Sequence, residues 1–172
     1  MIRITKGIMI VALFLCVASV SAQNLKFGHI NSQNLLMAMP ERDSAEAKLK
    51  KYAKDLQDQI ETLQVEFNKK YQDYVQKKAT LTDAIREMKE KELSDLQQRS
   101  QEFEQTAQQD YQRQQSDLMK PIVDKANATI QKVAKANGFV YIFDVSTGAV
   151  AYFSDQSIDI LPLVKKELGL TK

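Results

Sequence analysis

From Ser44 to Asn137 the chain runs for 94 residues without a glycine and with a single proline, Pro121. A stretch of that length without backbone breakers has few options other than long helices. Apolar residues recur through it at Ala45, Leu49, Tyr52, Leu56, Ile60, Leu63, Phe67, Tyr71 and Tyr74, with Lys78 completing the frame. The spacing is 4-3-4, an eleven-residue repeat of 3.67 residues per turn. It keeps the stripe nearly straight along the helix or winds it slightly right-handed. The same frame returns at Ile85, Leu96, Ala107 and Leu118.

Between the two runs lies KKATLTDAI. Thr82 is placed to cap a new helix with its hydroxyl, and Asp83 follows in the first turn, where a carboxylate favours the helix dipole. One continuous helix needs no cap there. The segment 44–137 is therefore expected to fold back on itself as a helical hairpin with its tip near 79–82. An arm from Ala45 to Lys78 is about 50 Å long at 1.5 Å per residue. Five pairs place an acid four residues before a base: Glu46–Lys50, Glu66–Lys70, Asp73–Lys77, Glu87–Lys91 and Asp95–Arg99. Each is worth about 0.2–0.5 kcal/mol. Ser100 and Gln114 fall on the apolar stripe, and nine glutamines occur from Gln97 to Gln115, so this part of the hairpin is expected to bend.

The flanks are different. Residues 1–22 have a basic start at Arg3 and Lys6, an apolar run from Ile8 to Val17, and Val20-Ser21-Ala22 before Gln23. That is the pattern of a cleaved secretory signal, and the apolar run is short for a membrane span. The only cysteine, Cys16, lies inside it, and Leu15 is too large for the position before a lipidated cysteine. With Arg3 and Lys6 removed, 22 basic side chains face 22 acidic ones. A neutral chain offers no net attraction to nucleic acid.

Leu25, Phe27 and His29 alternate as in a short strand. Ser32 is expected to cap a short helix carrying Leu35, Leu36 and Met39, ended by Pro40. After Asn137-Gly138, a helix stop, comes GFVYIFDVSTGAVAYFSDQSIDI. Phe139 to Phe143 is apolar on both faces, as in a strand covered from both sides. A turn at Ser146-Thr147-Gly148 leads to Ala149–Phe153 as its hairpin partner. Asp159 is expected to cap a last helix through Leu161, Val164 and Leu168, ending at Gly169. Residues 23–43 and 138–172 together form a small β-rich body, short for independent folding without cross-links. It nevertheless carries Phe27, Phe139, Tyr141, Phe143, Tyr152 and Phe153. Several copies sharing one aromatic core resolve that tension. The fold class expected is α+β, an oligomerising body with one long antiparallel hairpin per subunit.

No residue pattern calls for catalysis. The chain has no GxxxxGK[ST] phosphate loop. His29 is the only histidine and reads as structural, with no metal site implied; Asp144, Asp155 and Asp159 read as turn and cap residues. Tyr74, Val75, Leu81, Ile85 and Met88 are the candidates for contact with a bound protein, whereas Phe67 and Tyr71 are expected to zip the hairpin.

The strand leading into NSQNLL, the LT at the arm tip, Pro121, and FDVSTGAVAYFSDQSIDI followed by a short helix ending in Leu-Gly carry a resemblance. The chain resembles the Skp/OmpH family of periplasmic chaperones over essentially all of its length after residue 22. The resemblance implies a homotrimer, a periplasmic location, no cofactor, and a cavity between three arms that holds unfolded outer-membrane proteins without ATP. Better-known members are strongly basic. Here net charge supplies no attraction to lipopolysaccharide or an anionic membrane, so neither is expected as a partner. The competing reading is a structural coiled-coil spacer of an envelope complex. A spacer favours an unbroken, rigid apolar stripe, which the break near Thr82 and the polar stripe positions do not supply.

Overall fold

The computed structural model describes residues 25–170. The expected signal at 1–22, with Cys16, lies outside them. The order is strand β1 (Lys26–Ile30), helix α1 (Ser32–Met37), helix α2 (Pro40–Lys77), a 3-10 turn (Lys78–Thr80), helix α3 (Asp83–Ala136), strands β2 (Phe139–Asp144) and β3 (Ile158–Asp159), and helix α4 (Leu161–Glu167). The protein is mostly helical, with one small sheet.

Asn31, not Ser32, caps α1: its side-chain oxygen accepts from the Asn34 amide at 2.9 Å. Pro40 does not end a helix but starts one, occupying the first position of α2. There its missing N–H is no loss and its fixed φ suits the first turn. The helix stop and start on either side of the tip are also specific. Thr82 has the extended conformation of an N-cap (φ −67°, ψ 157°), but its hydroxyl makes no capping bond. Its carbonyl accepts from Arg86 N at 2.9 Å, while Asp83 in the first turn pairs with the Arg86 side chain.

Helices α2 and α3 have 38 and 54 residues, about 57 and 81 Å at 1.5 Å per residue. They run side by side in opposite directions, since Glu41 meets Lys125 at one end and Lys70 meets Glu92 near the other. Of the five expected helical pairs, Glu66–Lys70 at 3.7 Å and Asp73–Lys77 at 2.5 Å form. Elsewhere Lys54–Asp58 and Lys120–Asp124, with the base first, close at 2.6 Å.

The sheet departs from the expected hairpin. Its order is β2-β1-β3, and β1 runs parallel to both neighbours. A parallel pair needs a long crossover, and the two long helices are that crossover from β1 to β2. Ala149–Phe153 forms no strand. Gly148 does adopt the positive φ of +72° needed at the turn, but the chain beyond it does not return along β2. β2 instead uses its hydrogen-bonding edge for β1, in register from Phe27↔Tyr141 to Ile30↔Asp144, with Val140 as the unmatched residue.

The core of the body is aliphatic. Ile30, Leu35, Met39, Ile160 and Val164 are sealed, and the base of the helix pair joins them through Ala45, Ile122, Ala126 and Val133. The aromatic core expected from the sequence is one shared between copies; the core within one chain is this aliphatic one, and it eases the shortage of core residues. Leu118, Met119 and Ile130 also pack against it from the long helix α3, so the body is larger than the two flanks alone. Phe139 and Ile142 pack onto this core from β2. Gly28 sits where the two meet: a Cβ there would lie 2.8 Å from Ile142 Cδ1 and 2.9 Å from Phe139 Cε1. Helix α4 closes the body. Asp159 accepts from Leu161 N at 2.9 Å, Pro162 lies in the first turn, and Gly169 (φ +70°) ends it. Leu170 N then donates to Lys165 O and Gly169 N to Lys166 O, the paired bonds of a Schellman stop.

Candidate functional site

Two surfaces remain once the core is accounted for. The first is the far face of the sheet. Alternation along β1 turns Gly28 and Ile30 inward, and Phe27 and His29 outward. The register sets Tyr141 beside Phe27 and Phe143 beside His29. Phe27 and Tyr141 are stacked at 6.3 Å, and Tyr141 and Phe143 at 6.1 Å. The segment after Gly148 crosses in front of them: Phe153 stacks on His29 at 4.1 Å. Together with Leu25, Val150 and Tyr152, the residues Phe27, His29, Phe143 and Phe153 line a groove of about 860 Å³. Tyr141 is 61% exposed and Tyr152 81% exposed; Phe27, Phe143 and Phe153 are also open to solvent. β2 is thus not covered on both sides within one chain. Of the six aromatic residues singled out from the sequence, Phe139 alone faces the core, and the other five lie on this face.

His29 is held in place by its neighbours. Its Nδ1 lies 2.9 Å from Ser157 Oγ. Asp144, Asp155 and Asp159 do not come together as a carboxylate cluster. Asp144 accepts from Ser32 N and Oγ and from Ser146 N, tying the start of α1 to the end of β2. Burial pushes its carboxyl up, and the hydrogen bonds from Ser32 and Ser146 outweigh this and hold it below its ordinary range. Among the described residues no group of His, Cys, Asp and Glu is arranged to hold a metal ion.

The second surface is the end of the helix pair. Val75, Ile85 and Met88 are exposed there, and Leu81 is half-buried. Tyr74 is not available: it is only 7% exposed, and its hydroxyl donates to the Glu90 carboxylate across the pair. Lys78 lies over its ring at 5.4 Å and approaches Glu90 at 3.8 Å. This corrects the reading of Tyr74 as a binding residue. Tyr71, expected to zip the pair, is instead half exposed and stacks on Phe67 at 6.1 Å. The two tyrosines are three residues apart, about 300° around the helix, and only the position of α3 decides which one is covered. One turn away, Lys70 and Lys89 both donate to Glu92, the latter at 2.9 Å. The Lys70 hydrogen bond first, then that of Lys89, holds the Glu92 carboxyl down at about 2.

Fold and surfaces together define a class: a small α+β body that exposes an aromatic sheet face and carries a long antiparallel pair of polar helices. The chain belongs to the OmpH-like outer membrane protein family, whose pattern matches residues 26–168. Its fold is similar to a crystal structure from Caulobacter crescentus CB15, described as an OmpH-like outer membrane chaperone. The TM-score is 0.73 at 17% identity, over 84% of this chain and 83% of that one. No curated protein matches the sequence. Among the described residues no helix is long and apolar enough to cross a membrane.

Proposed function

We propose that the protein is an ATP-independent holdase of the periplasm, which keeps unfolded outer-membrane proteins soluble between the helical arms of a homotrimer. The observation that carries this reading is the open aromatic face on a body whose aliphatic core is already closed. A monomer rarely leaves so much aromatic surface in water; such a patch marks an interface. Covering it with further copies of the chain directs several helix pairs from one shared body and encloses a space between them. Three copies is the number the family resemblance implies.

The arms suit weak, distributed holding. Their surface is polar, with Tyr71, Val75, Leu81, Ile85 and Met88 as separate apolar points near the tip. A continuous apolar groove would retain a client or aggregate with its neighbours. Points spaced along a charged helix hold a long unfolded chain by many contacts, each easily released. The helix seam is half-buried rather than sealed, which suits a compliant arm better than a rigid spacer.

The direct test dilutes a urea-unfolded outer-membrane β-barrel into buffer with and without an excess of this protein and follows light scattering. Suppression without ATP is expected; undiminished aggregation overturns the holdase reading. Assembly is tested separately with Phe143→Asp. The side chain is half exposed in a single chain, so the body should still fold. A carboxylate buried unpaired between copies costs several kcal/mol. Sedimentation equilibrium should show a trimer for the wild type and a folded monomer for the variant. A wild type that is monomeric at micromolar concentration ends the trimer reading.

A further inference from the structure

The polar bonds between the two long helices are not spread evenly. At the body end, Lys125 donates to Glu41, and the bond holds the Glu41 carboxyl below its ordinary range. Near the tip, Lys70–Glu92, Tyr74–Glu90 and Lys78–Glu90 join the helices within a few turns. Residues 42–69 of α2 and 93–124 of α3 share no side-chain hydrogen bond or ion pair across the pair.

Apolar burial has the same distribution in α2, though not in α3. In all of α2 only Ala45 and Tyr74 are buried, one at each end. Between them Leu49, Tyr52, Leu56, Ile60, Leu63 and Phe67 are only half covered. Their partners include glutamine and serine. Ile60, Gln64 and Phe67 face Gln97, Ser100, Gln101 and Glu104 across an open groove of about 270 Å³. Leu96 and Ala107 are the buried residues of α3 in this stretch. Three hydroxyls here also bond back to their own helix: Thr62 to Asp58 O at 2.8 Å, Ser100 to Leu96 O at 3.0 Å, and Thr106 to Glu102 O at 2.9 Å. Such bonds slightly weaken and bend helices.

We propose that the helix pair is latched at both ends and yields in the middle, opening or bowing between residues 46–67 of α2 and 97–116 of α3. A free hairpin is expected to fray from its tip. This one has three of its four polar cross-links beside the tip and none halfway along. Bowing widens the space between arms while the tips keep their local structure. That functional consequence rests on the holding role proposed above; the mechanical pattern does not.

Hydrogen exchange of the full mature protein, read by mass spectrometry without client, tests the pattern. Amides in 46–67 and 97–116 should exchange at least tenfold faster than those in 70–77 and 86–93. Tenfold is 1.4 kcal/mol of local stability. Equal protection along the pair, or a faster tip, overturns the proposal. Filling the groove with Ser100→Leu should slow the middle at least threefold and leave the tip unchanged; no change there counts against the thin seam as the cause. Tyr74→Phe with Glu92→Gln should quicken the tip alone. If the middle quickens equally, the pair opens as one unit and the idea falls. A bound, urea-diluted outer-membrane β-barrel that leaves exchange in the middle unaltered removes the link to holding, while failure of the scattering assay removes the holdase reading and leaves the exchange pattern standing.

Discussion

The body and the helix pair are built from one continuous chain but stabilised in different ways. The body closes around side chains from five elements, and Leu35, Ile160 and Val164 are at zero exposure. The helix pair has one seam between two elements, and most of its apolar stripe stays half wet. Two cylinders leave most side chains between them open on one side, and Leu96, Ala107 and Tyr74 are the ones the pair covers by itself. Where α1, α4 and the sheet lie against the base of the pair, a cluster of neighbouring side chains is sealed together. The comparison shows that a regular apolar repeat predicts where helices meet but not how firmly.

Four substitutions or conditions would break or sharpen this contrast. Leu35→Ala should have the largest effect, a loss of about 2–5 kcal/mol for a fully buried leucine, measured by urea unfolding at fixed protein concentration. Gly28→Ala should cost about 1–3 kcal/mol, because the added methyl meets Ile142 and Phe139 in a filled core. An effect near zero would show that the body can shift and is less tightly packed than described. Leu56→Ala, the same truncation as at position 35 but on the half-covered seam, should lose about 1 kcal/mol, a fraction of the methylene burial term. If it matched Leu35→Ala, the distinction between body and arm would collapse.

The smallest effect is the pH response of the tip. The Glu92 carboxyl is lowered from 4.5 to about 2 by Lys70 and then Lys89. A lowered folded-state value means the pairing contributes fully above pH 4.5 and is lost as pH falls from 4.5 toward 2. Corrected amide exchange in 86–93 should therefore rise between pH 5 and pH 3 relative to 97–116. Glu92→Gln should abolish that rise, leaving only the response of the other carboxylates.

The long helices, their break near Thr82, the first strand and the closing helix were legible because each rests on local rules: period, cap, proline and glycine. The apolar character of Phe139 to Phe143 was legible too, but not its partner. A strand of Phe, Val, Tyr and Ile can pair with whichever edge is offered, and the nearest apolar run in sequence was the wrong choice. β1 lies more than a hundred residues earlier, and only the return of the helix pair brings it alongside. The contrast between Tyr71 and Tyr74 was equally hidden, since both fit the eleven-residue frame. Their difference depends on where Glu90 and Lys78 sit. Leu35, Met39 and Val164 were legible as the apolar residues of two short helices, but their meeting with Ile30 and Ile160 in one sealed core was not, since it joins segments more than a hundred residues apart.

The sequence by itself determined that this chain would be mostly helical and would turn once. It also determined that an aromatic-rich strand would follow the long polar segment. Those outcomes depend on backbone freedom and on spacing within a few turns, which neighbours in sequence decide. Only the tertiary structure decided the parallel sheet with β1 at its centre and the aliphatic core built partly from the helix bases. It also decided that the aromatic rings would lie on an open face. Each of these depends on which surfaces are left once distant segments have met, and no local preference carries that information.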